Sequence, residues 1–359
     1  MVNIKDVLKI GFAYTGVVVG AGFSTGQEIL QFFTNNGFIS VFAVLLSGLL
    51  LLFTGKWTAD VGYDLKSESH VESIMNIFGP VFGKIIDYIL AFFLYGVAVI
   101  MIAGAGSTFY ESFGTPPWLG ALLLVIAVYI TLNLNFNKIV IVLGAVTPYL
   151  LGVVIIIAVI TYFNSPLALT EADQFAKPEL TVNGAWWWDA ITYSGFTIAV
   201  AFSFLTMMGS DSKSRKTAGY GGIAGSIIIL ILMLLINTGI LSRLDAVNDV
   251  ALPMLLLGNE IHPLLGILLG IAMLLVIYNT AVGMLYPFLI RFFTPKSNGY
   301  NILLPLSLIL GYILSFAGFA DLVGTVYPVM GYLGLILGAG LFIKWIALMG
   351  NKKNRSKVQ

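Results

Sequence analysis

Long apolar stretches alternate with short polar breaks along the whole chain. The breaks are rich in asparagine, glycine, proline, serine and charged residues, for example at 34–37, 114–117, 133–137, 211–216 and 294–299. A helix needs about 20 apolar residues to cross a bilayer. The pattern therefore predicts an all-α polytopic membrane protein with ten transmembrane helices, at residues 8–35, 38–63, 82–111, 118–133, 138–163, 186–208, 218–242, 262–292, 300–318 and 323–348.

The longest polar connection, residues 164–185, divides the ten predicted helices into two groups of five. If the two groups are homologous, an odd number of helices in each requires opposite orientations in the membrane. We therefore predict an inverted repeat, with a first five-helix unit at 1–163 and a second at 186–348. The 164–185 connection is then extracellular, and residues 349–359 form a basic cytoplasmic tail.

The composition excludes a soluble globular protein. Apolar residues make up 58% of the 359 positions, charged residues make up 10%, and the mean hydropathy is +0.97. Soluble domains are about 45–50% apolar and about 25% charged. The formal net charge of +1 leaves no positive excess for binding a polyanion, so no nucleic-acid partner is expected.

The distribution of basic residues predicts the orientation. If the N terminus is cytoplasmic, ten spans return the C terminus to the same side, and all but two of the 18 lysines and arginines then lie inside. The exceptions are Lys177 and Arg243. This bias is what the positive-inside rule describes. We expect a multi-pass protein of the cell (inner) membrane with both termini in the cytoplasm.

The residue types that enzymes use are scarce within the predicted spans. The chain has no cysteine, and its two histidines lie in a predicted loop (His70) and at the loop edge of a predicted span (His262), where we expect them at the surface. The interiors of the spans contain no histidine and no paired carboxylates, so the sequence disfavours an intramembrane enzyme. No resident cofactor is expected.

The first span combines glycines with polar residues near its middle. Four glycines occur within eleven residues: Gly16, Gly20, Gly22 and Gly26. Each interior glycine destabilises a helix by about 1 kcal/mol relative to alanine. We predict that the helix unwinds around 20–26, which hydrocarbon tolerates only where the backbone lines a cavity or meets a ligand. Close packing between helices is the alternative reason for the glycines, but it does not explain the polar residues that follow them.

The sixth span opens the second group of five and has a weaker signal of the same kind. Ser194, Gly195, Phe196 and Thr197 lie near its midpoint. Serine and threonine can also bond to the preceding turn of an intact helix. Interruptions at corresponding places in two halves mark the midplane substrate site of many secondary transporters, so we predict a second broken helix here.

The run from Val19 to Glu28, VGAGFSTGQE, resembles the first-helix motif of the YkvI-like membrane proteins. This group is similar to the amino acid/polyamine/organocation transporters that share the LeuT fold. The resemblance to the group covers the whole chain, whereas that to characterised transporters is confined to the broken first helix, the ten-span layout and part of the eighth span. It implies a substrate held between the first, third, sixth and eighth helices, and alternating access.

The resemblance also implies a sodium site between the first and eighth helices. Carbonyls of the broken helix fall at Gly16 and Val19, and the two hydroxyl positions of the eighth helix fall at Asn279 and Thr280. Asn279 departs from the usual serine or threonine, although its amide oxygen is also a hard ligand. An interhelical hydrogen bond is the alternative role of Asn279 and Thr280.

Tyr95 in the third span and Glu28 in the first complete the candidates. The resemblance implies that Tyr95 is a lid or substrate contact, and packing is its alternative role. A carboxylate within a membrane span is a candidate functional group. Glu28 would couple proton movement or gate the outer mouth, or else it would lie in a wet vestibule and cap the outer half-helix. Some proton-coupled relatives have a lysine in the fifth span, in the place of the sodium ion. This chain has no lysine between Ile139 and Tyr162, so the resemblance weakens the proton-coupled alternative.

These positions predict the chemistry of the substrate. Unpaired N–H groups near residues 24–26 would hold a carboxylate, and carbonyls freed near residues 194–197 would receive an ammonium, which together favour a zwitterion such as an amino acid. The predicted substrate contacts are Gly20, Ala21, Gly22, Phe23, Ser24, Thr25, Gly26, Tyr95, Ser194, Gly195, Phe196 and Thr197.

The sequence thus predicts a secondary active transporter of a small organic solute, coupled to sodium and embedded in the lipid bilayer. A proton-coupled transporter that uses Glu28 and a ligand-sensing membrane protein of the same fold remain alternatives.

Overall fold

The computed structural model describes residues 2–66, 69–165, 167–248, 250, 252–317 and 319–355. Within these residues the chain is mostly helical and contains no strand. The helices are α1 (Ile4–Val18), α2 (Ala21–Thr25), α3 (Gln27–Phe32), α4 (Ser40–Leu65), α5 (Val71–Phe78), α6 (Pro80–Phe113), α7 (Pro117–Leu132), α8 (Phe136–Asn164), α9 (Trp186–Asp211), α10 (Arg215–Leu241), α11 (Leu244–Val247), α12 (Pro253–Ile261), α13 (Pro263–Phe292), α14 (Asn298–Leu314) and α15 (Phe319–Arg355).

Eight helical segments of the described chain are long and apolar enough to cross a membrane. They belong to α4, α6, α8, α9, α10, α13, α14 and α15. Helix α7 is apolar but has 16 residues, and the first predicted span is interrupted. The protein is therefore a multi-pass membrane protein, and both the count of ten spans and the division into 1–163, 164–185, 186–348 and 349–359 stay predictions. Residues 356–359 of the predicted tail lie outside the described residues.

The polar breaks in the sequence supply the caps of these helices. The side chains of Asn3, Asn135, Ser214 and Ser297 accept hydrogen bonds from backbone N–H groups of the first turns of α1, α8, α10 and α14. These bonds satisfy donors that have no partner within the helix. The breaks therefore end and begin helices where the hydropathy pattern predicts them to.

The first predicted span is broken, as the sequence predicts. Helix α1 ends at Val18, and Val19 and Gly20 are extended, with ψ values of 99° and −166°. The five-residue α2 follows, and Gly26 then takes a left-handed conformation with φ of 84° before α3 begins. The span is thus non-helical at two places, at Val19 and Gly20 and at Gly26, and a short helical turn lies between them.

The sixth predicted span is not broken, and the prediction of a second interrupted helix is wrong. Helix α9 runs from Trp186 to Asp211 without a non-helical residue. Ser194 Oγ donates to the carbonyl of Ala190 at 2.8 Å and Thr197 Oγ1 to that of Tyr193 at 3.0 Å, one turn back in each case. Both hydroxyls are thereby accommodated within an intact helix.

Gly195 has a packing function instead. A Cβ atom at Gly195 would lie 2.4 Å from the carbonyl oxygen of Gly331, and one at Gly334 would lie 1.6 Å from the carbonyl oxygen of Gly195. Helices α9 and α15 therefore approach so closely that neither position has room for a side chain. Gly195 belongs to this helix contact, which is a common use of small residues in membrane helices.

The two ends of the helix bundle differ in charge. At the basic end, Lys9 Nζ donates to Asn137 Oδ1, Lys66 Nζ to carbonyls at 210 and 212, and Arg215 pairs with Asp64. At the acidic end, the connections 164–185 and 242–262 meet through a bond from Asn248 to the carbonyl of Phe175. These two connections contain six aspartates and glutamates and two basic residues. The basic end is the predicted cytoplasmic side.

Candidate functional site

The broken first span lies against the middle of α13. Thr280 Oγ1 donates to the carbonyl oxygens of Val17 at 3.0 Å and Val19 at 3.2 Å. Both carbonyls belong to the last turn of α1 and the extended residue that follows it. Thr280 is almost fully buried. The structure thus brings Val19 and Thr280 together, as the sequence predicts for two members of the cation site.

Gly16 and Asn279 are neighbours at the same place. A Cβ atom at Gly16 would lie 2.7 Å from Asn279 Nδ2 and 2.7 Å from the carbonyl oxygen of Leu143 in α8. Asn279 Nδ2 donates to that same carbonyl at 2.8 Å. The amide oxygen of Asn279 is buried and has no hydrogen-bond partner in the described part of the chain. Gly16 is therefore required for close packing of α1 against α8 and α13.

Three neutral oxygens near the interruption are of the type that binds small hard cations. They are the Val19 carbonyl, the Thr280 hydroxyl and the amide oxygen of Asn279, which has no hydrogen-bond partner in the described part of the chain. Backbone carbonyls at an interrupted helix are the usual ligands of a coupling sodium ion. The described residues contain no group of three or more histidine, cysteine, aspartate or glutamate side chains that could hold a transition metal.

Glu28 lies on the other side of the break, in the first turn of α3, and folds back onto α2. A Cβ atom at Gly22 would be 2.5 Å from Glu28 Oε1. The carboxylate accepts hydrogen bonds from the backbone N–H of Phe23 and, at 3.4 Å, from the hydroxyl of Tyr193 in α9. Glu28 is 4% exposed. The interpretation that it lies in a wet vestibule is wrong for this conformation.

No basic residue compensates Glu28 within the described chain. None of the ion pairs formed by described lysines, arginines or histidines includes it. Arg243, one of the two basic residues of the acidic end, contacts Glu260 at 2.8 Å and Asp245 at 3.8 Å. The only charged group close to the break is thus a buried carboxylate held by neutral donors.

Aromatic rings cover Glu28 towards the acidic end. The ring of Tyr193 lies 5.1 Å from that of Phe32 and 4.9 Å from that of Phe33, in edge-to-face contacts. The rings of Phe196 and Tyr327 are 4.5 Å apart. We call these five rings the aromatic cover. It separates the break from the connections of the acidic end.

The hydroxyls of α2 bond within their own turn. Ser24 Oγ donates to the carbonyl of Gly20 at 3.1 Å, and Thr25 Oγ1 donates to that of Gly22 at 3.0 Å. A Cβ atom at Gly26 would lie 2.8 Å from Ile240, so the left-handed residue is also tightly packed. The backbone of Ala21 begins α2, and its side chain lies outside the described part.

Tyr95 does not join the residues around the break. Its hydroxyl donates to the carbonyl of Ser307 in α14 at 2.9 Å, and its ring lies 5.1 Å from that of Phe288. These contacts support its alternative role in packing. The residue of α6 that does approach the break is Met101, whose side chain would lie 3.8 Å from a Cβ atom at Gly20. No sequence signal distinguishes Met101 from other apolar residues of α6.

Two cavities lie at the basic end. One, of about 330 Å³, is lined by residues that include Asp6, Lys9 and Lys213, and the other, of about 470 Å³, by residues that include Tyr286 and Lys296. Phe136 and Asp211 line both cavities. Both of these cavities are on the predicted cytoplasmic side, and the aromatic cover lies at the opposite end.

A buried cluster of charged side chains at the basic end is not among the candidates predicted from the sequence. Asp87 of α6 binds Arg291 of α13, whose Nε lies 2.9 Å from Asp87 Oδ2, and His70 Nε2 lies 3.3 Å from Asp87 Oδ1. His70 is fully buried, so its expected place at the surface is wrong. His262 is exposed as expected. The available signal was that Asp87 and Arg291 are both charged residues within long apolar stretches.

Comparison with known sequences confirms the resemblance stated above. No known family profile matches the chain. The chain is 26% identical over 347 residues to the uncharacterised membrane protein YkvI of Bacillus subtilis (strain 168), covering 94% of this chain and 95% of YkvI. It is 24% identical over 326 residues to the uncharacterised protein YyaD of the same organism, covering 90% and 92%. The chain is therefore similar to YkvI and YyaD over nine-tenths or more of its length.

Comparison with solved structures confirms the LeuT-like fold. MhsT in complex with L-phenylalanine superposes with a TM-score of 0.65 at 18% identity, covering 94% of this chain and 89% of MhsT. A Na⁺-coupled sialic acid symporter gives 0.67 at 14% identity, covering 94% and 79%. A manganese transporter of Eremococcus coleocola gives 0.55 at 14% identity, covering 94% and 77%. At these identities the comparison defines the fold.

Proposed function

We propose that this protein is a secondary active transporter that moves a small organic solute across the membrane by alternating access. The fold and the interrupted first span support this function. In the described conformation the aromatic cover lies over Glu28 towards the acidic end, and cavities of about 330 and 470 Å³ lie at the basic end. Because the break packs between α9 and α13, the residues around it would face first one side of the membrane and then the other.

Sodium is the proposed coupling ion, and one observation carries this part of the proposal. The Thr280 hydroxyl lies within 3.2 Å of the Val19 carbonyl where the helix is interrupted, and the amide oxygen of the adjacent Asn279 has no hydrogen-bond partner among the described residues. A buried polar atom without a hydrogen bond is unfavourable. A sodium ion would be held by Val19, Asn279 and Thr280, with Gly16 allowing their close approach.

The proposal is tested by uptake into proteoliposomes that contain the purified full chain. Radiolabelled amino acids and small amines are offered with an inward sodium gradient or with potassium in its place. We expect uptake of at least one solute that requires sodium and survives a protonophore. Equal rates of uptake with the sodium gradient and with potassium would contradict sodium coupling. Saturable binding without uptake or counterflow would instead identify a ligand sensor.

Proton coupling through Glu28 is the second candidate. The observation that favours it is a carboxylate with 4% exposure and no ion pair among the described residues. Burial of a charge without a partner is costly, so such a group readily takes up a proton. In this case a protonophore abolishes uptake in the absence of sodium, and Glu28→Gln removes the dependence of uptake on the pH gradient.

A further inference from the structure

The two ends of a zwitterion were assigned by sequence to two interrupted helices, and the structure changes both assignments. Helix α9 is continuous, and the carbonyls of Ala190 and Tyr193 in it accept bonds from side chains one turn on. An ammonium group therefore finds no freed carbonyls at residues 194–197. Its acceptor has to come from elsewhere.

The place expected to hold the carboxylate of the solute is taken by a carboxylate of the chain. Glu28 lies directly over Gly22, and it accepts a bond from the Phe23 backbone N–H. A solute carboxylate at this position would be next to a like charge whenever Glu28 is ionised. The site therefore discriminates against carboxylates.

The surroundings of Glu28 lack a positive charge. Its partners in the described chain are the Tyr193 hydroxyl, at a long 3.4 Å, and a backbone N–H. Removing a charge from water is offset in proteins by pairing it with an opposite charge. No described lysine, arginine or histidine pairs with Glu28, so its charge is compensated either by a proton or by a cation from outside the chain.

The charge of the acidic end independently favours a cationic solute. The connections 164–185 and 242–262 together have six acidic and two basic residues. Such a surface raises the local concentration of cations and lowers that of anions. A solute approaching the aromatic cover from this end is therefore selected for positive charge before it reaches Glu28.

We propose that Glu28 binds the ammonium group of the solute and that the solute is an organic amine without a carboxylate. Opening of the aromatic cover would remove Tyr193 from Glu28 Oε2 and admit the amine in place of the hydroxyl. The inference rests on the proposed transport function and specifies its substrate class. It differs from the zwitterion favoured by the sequence.

The test compares amino acids with the amines that differ from them by the carboxylate alone. The probes are phenylalanine and phenethylamine, leucine and isopentylamine, and alanine and ethylamine, with 3-phenylpropionate as a carboxylate without an amine. Each is titrated into the purified full chain in sodium, and the rise in the thermal unfolding midpoint measures binding. We expect at least one amine to bind about tenfold or more tightly than its amino acid, because the amine lacks the carboxylate that Glu28 would repel.

Three variants connect the preference to Glu28. Glu28→Gln should raise the amine concentration needed for half-maximal stabilisation by about tenfold or more. Glu28→Asp keeps the charge and should keep the preference for amines at lower affinity. Glu72→Gln, which removes an exposed carboxylate of α5 outside the acidic end, should leave amine binding unchanged. Gel filtration and the unfolding midpoint without ligand establish that each variant is folded.

The outcomes separate this inference from the transport proposal. Tighter binding of an amino acid or of 3-phenylpropionate, no response to any amine, or equal amine affinity in Glu28→Gln would each overturn the inference. Loss of the sodium response in Glu28→Gln with unchanged amine binding would also overturn it, because Glu28 would then serve the metal ion. Uptake of an amino acid but of no amine leaves transport intact. Amine binding that depends on Glu28 without any uptake leaves this inference intact and overturns transport.

Discussion

Asp87 and Glu28 are both buried carboxylates within apolar helical segments, yet their surroundings are opposite. Asp87 has 2% exposure and is paired with Arg291, with His70 nearby. Glu28 has 4% exposure and only neutral donors. This difference shows that burial of a charged side chain does not by itself identify a functional group. A carboxylate that the chain already neutralises stabilises the fold, whereas one that it leaves uncompensated is available to a ligand.

The largest effect on stability is expected from breaking the compensated pair. Asp87→Asn leaves the Arg291 guanidinium, itself largely buried, without its counter-charge. Removing one partner of a buried ion pair costs about 3 kcal/mol or more. We expect a marked fall in the unfolding midpoint of the purified protein at a fixed scan rate. Asp64→Asn, which breaks the exposed pair with Arg215, is the control and should cost at most about 1 kcal/mol.

A smaller effect should follow when the charge is kept and its geometry is changed. Arg291 approaches Asp87 Oδ2 through both Nε and Nη2. Lysine is a point charge and cannot reproduce this fork. Arg291→Lys should therefore destabilise the protein by about 1 kcal/mol, measured in the same thermal scans. A loss equal to that of Asp87→Asn would show that hydrogen-bond geometry, more than charge, holds this group together.

Thr280→Ala tests the interruption of the first span, where the Thr280 hydroxyl contacts neutral carbonyl groups and forms no ion pair. Interhelical hydrogen bonds in membranes are worth about 0.6–1.7 kcal/mol. If Thr280 holds sodium, its loss should raise the sodium concentration for half-maximal uptake or stabilisation several-fold. Thr280→Ser retains the hydroxyl and should behave as wild type. Thr238→Ala removes a hydroxyl that bonds within α10 and is the distant control. An unchanged sodium requirement in Thr280→Ala would contradict the site.

The smallest effect on stability is expected at Glu28. Glu28→Gln keeps the side-chain length and a carbonyl oxygen for the Phe23 N–H, and it removes a charge that has no counter-charge. The free energy of unfolding should change by about 0.5 kcal/mol or less, although ligand binding changes strongly. If Glu28→Gln were as destabilising as Asp87→Asn, the contrast between the two carboxylates would be false, and Glu28 would be part of the structural framework.

The first and sixth spans show how far local sequence predicts a broken helix. The first has four glycines within eleven residues and is interrupted at Val19, Gly20 and Gly26. The sixth has one glycine between two hydroxyl residues and remains wound. Glycine lowers helix propensity in both, but in α9 the contact with Gly331 and Gly334 of α15 explains its presence. That contact joins residues more than 130 positions apart, and no local pattern reveals it.

The four residues predicted for the cation site lie together, whereas those predicted for substrate contact are divided between the break and other helix contacts. Val19, Gly16, Asn279 and Thr280 meet where α1 is interrupted, and whether they bind sodium stays a prediction. Tyr95 and Ser194 instead contact α14 and α4, at Ser307 and Ser47 respectively. The cation site depends on two short motifs, whereas the substrate contacts depend on how each helix is rotated about its axis. Helices that are apolar on all sides do not show their rotation in sequence.

The amino-acid sequence alone determined the membrane-spanning segments, the charge of the two ends and the place where the first span is interrupted. These properties follow from the transfer energy of each residue and from the intrinsic preferences of the backbone, which are local quantities. Only the tertiary structure decided that α9 stays wound, that Asp87 has Arg291 as its partner and that Glu28 has Tyr193. Pairings between residues far apart in the chain arise from packing of whole helices, and burial then decides whether a charge is compensated or left for a ligand.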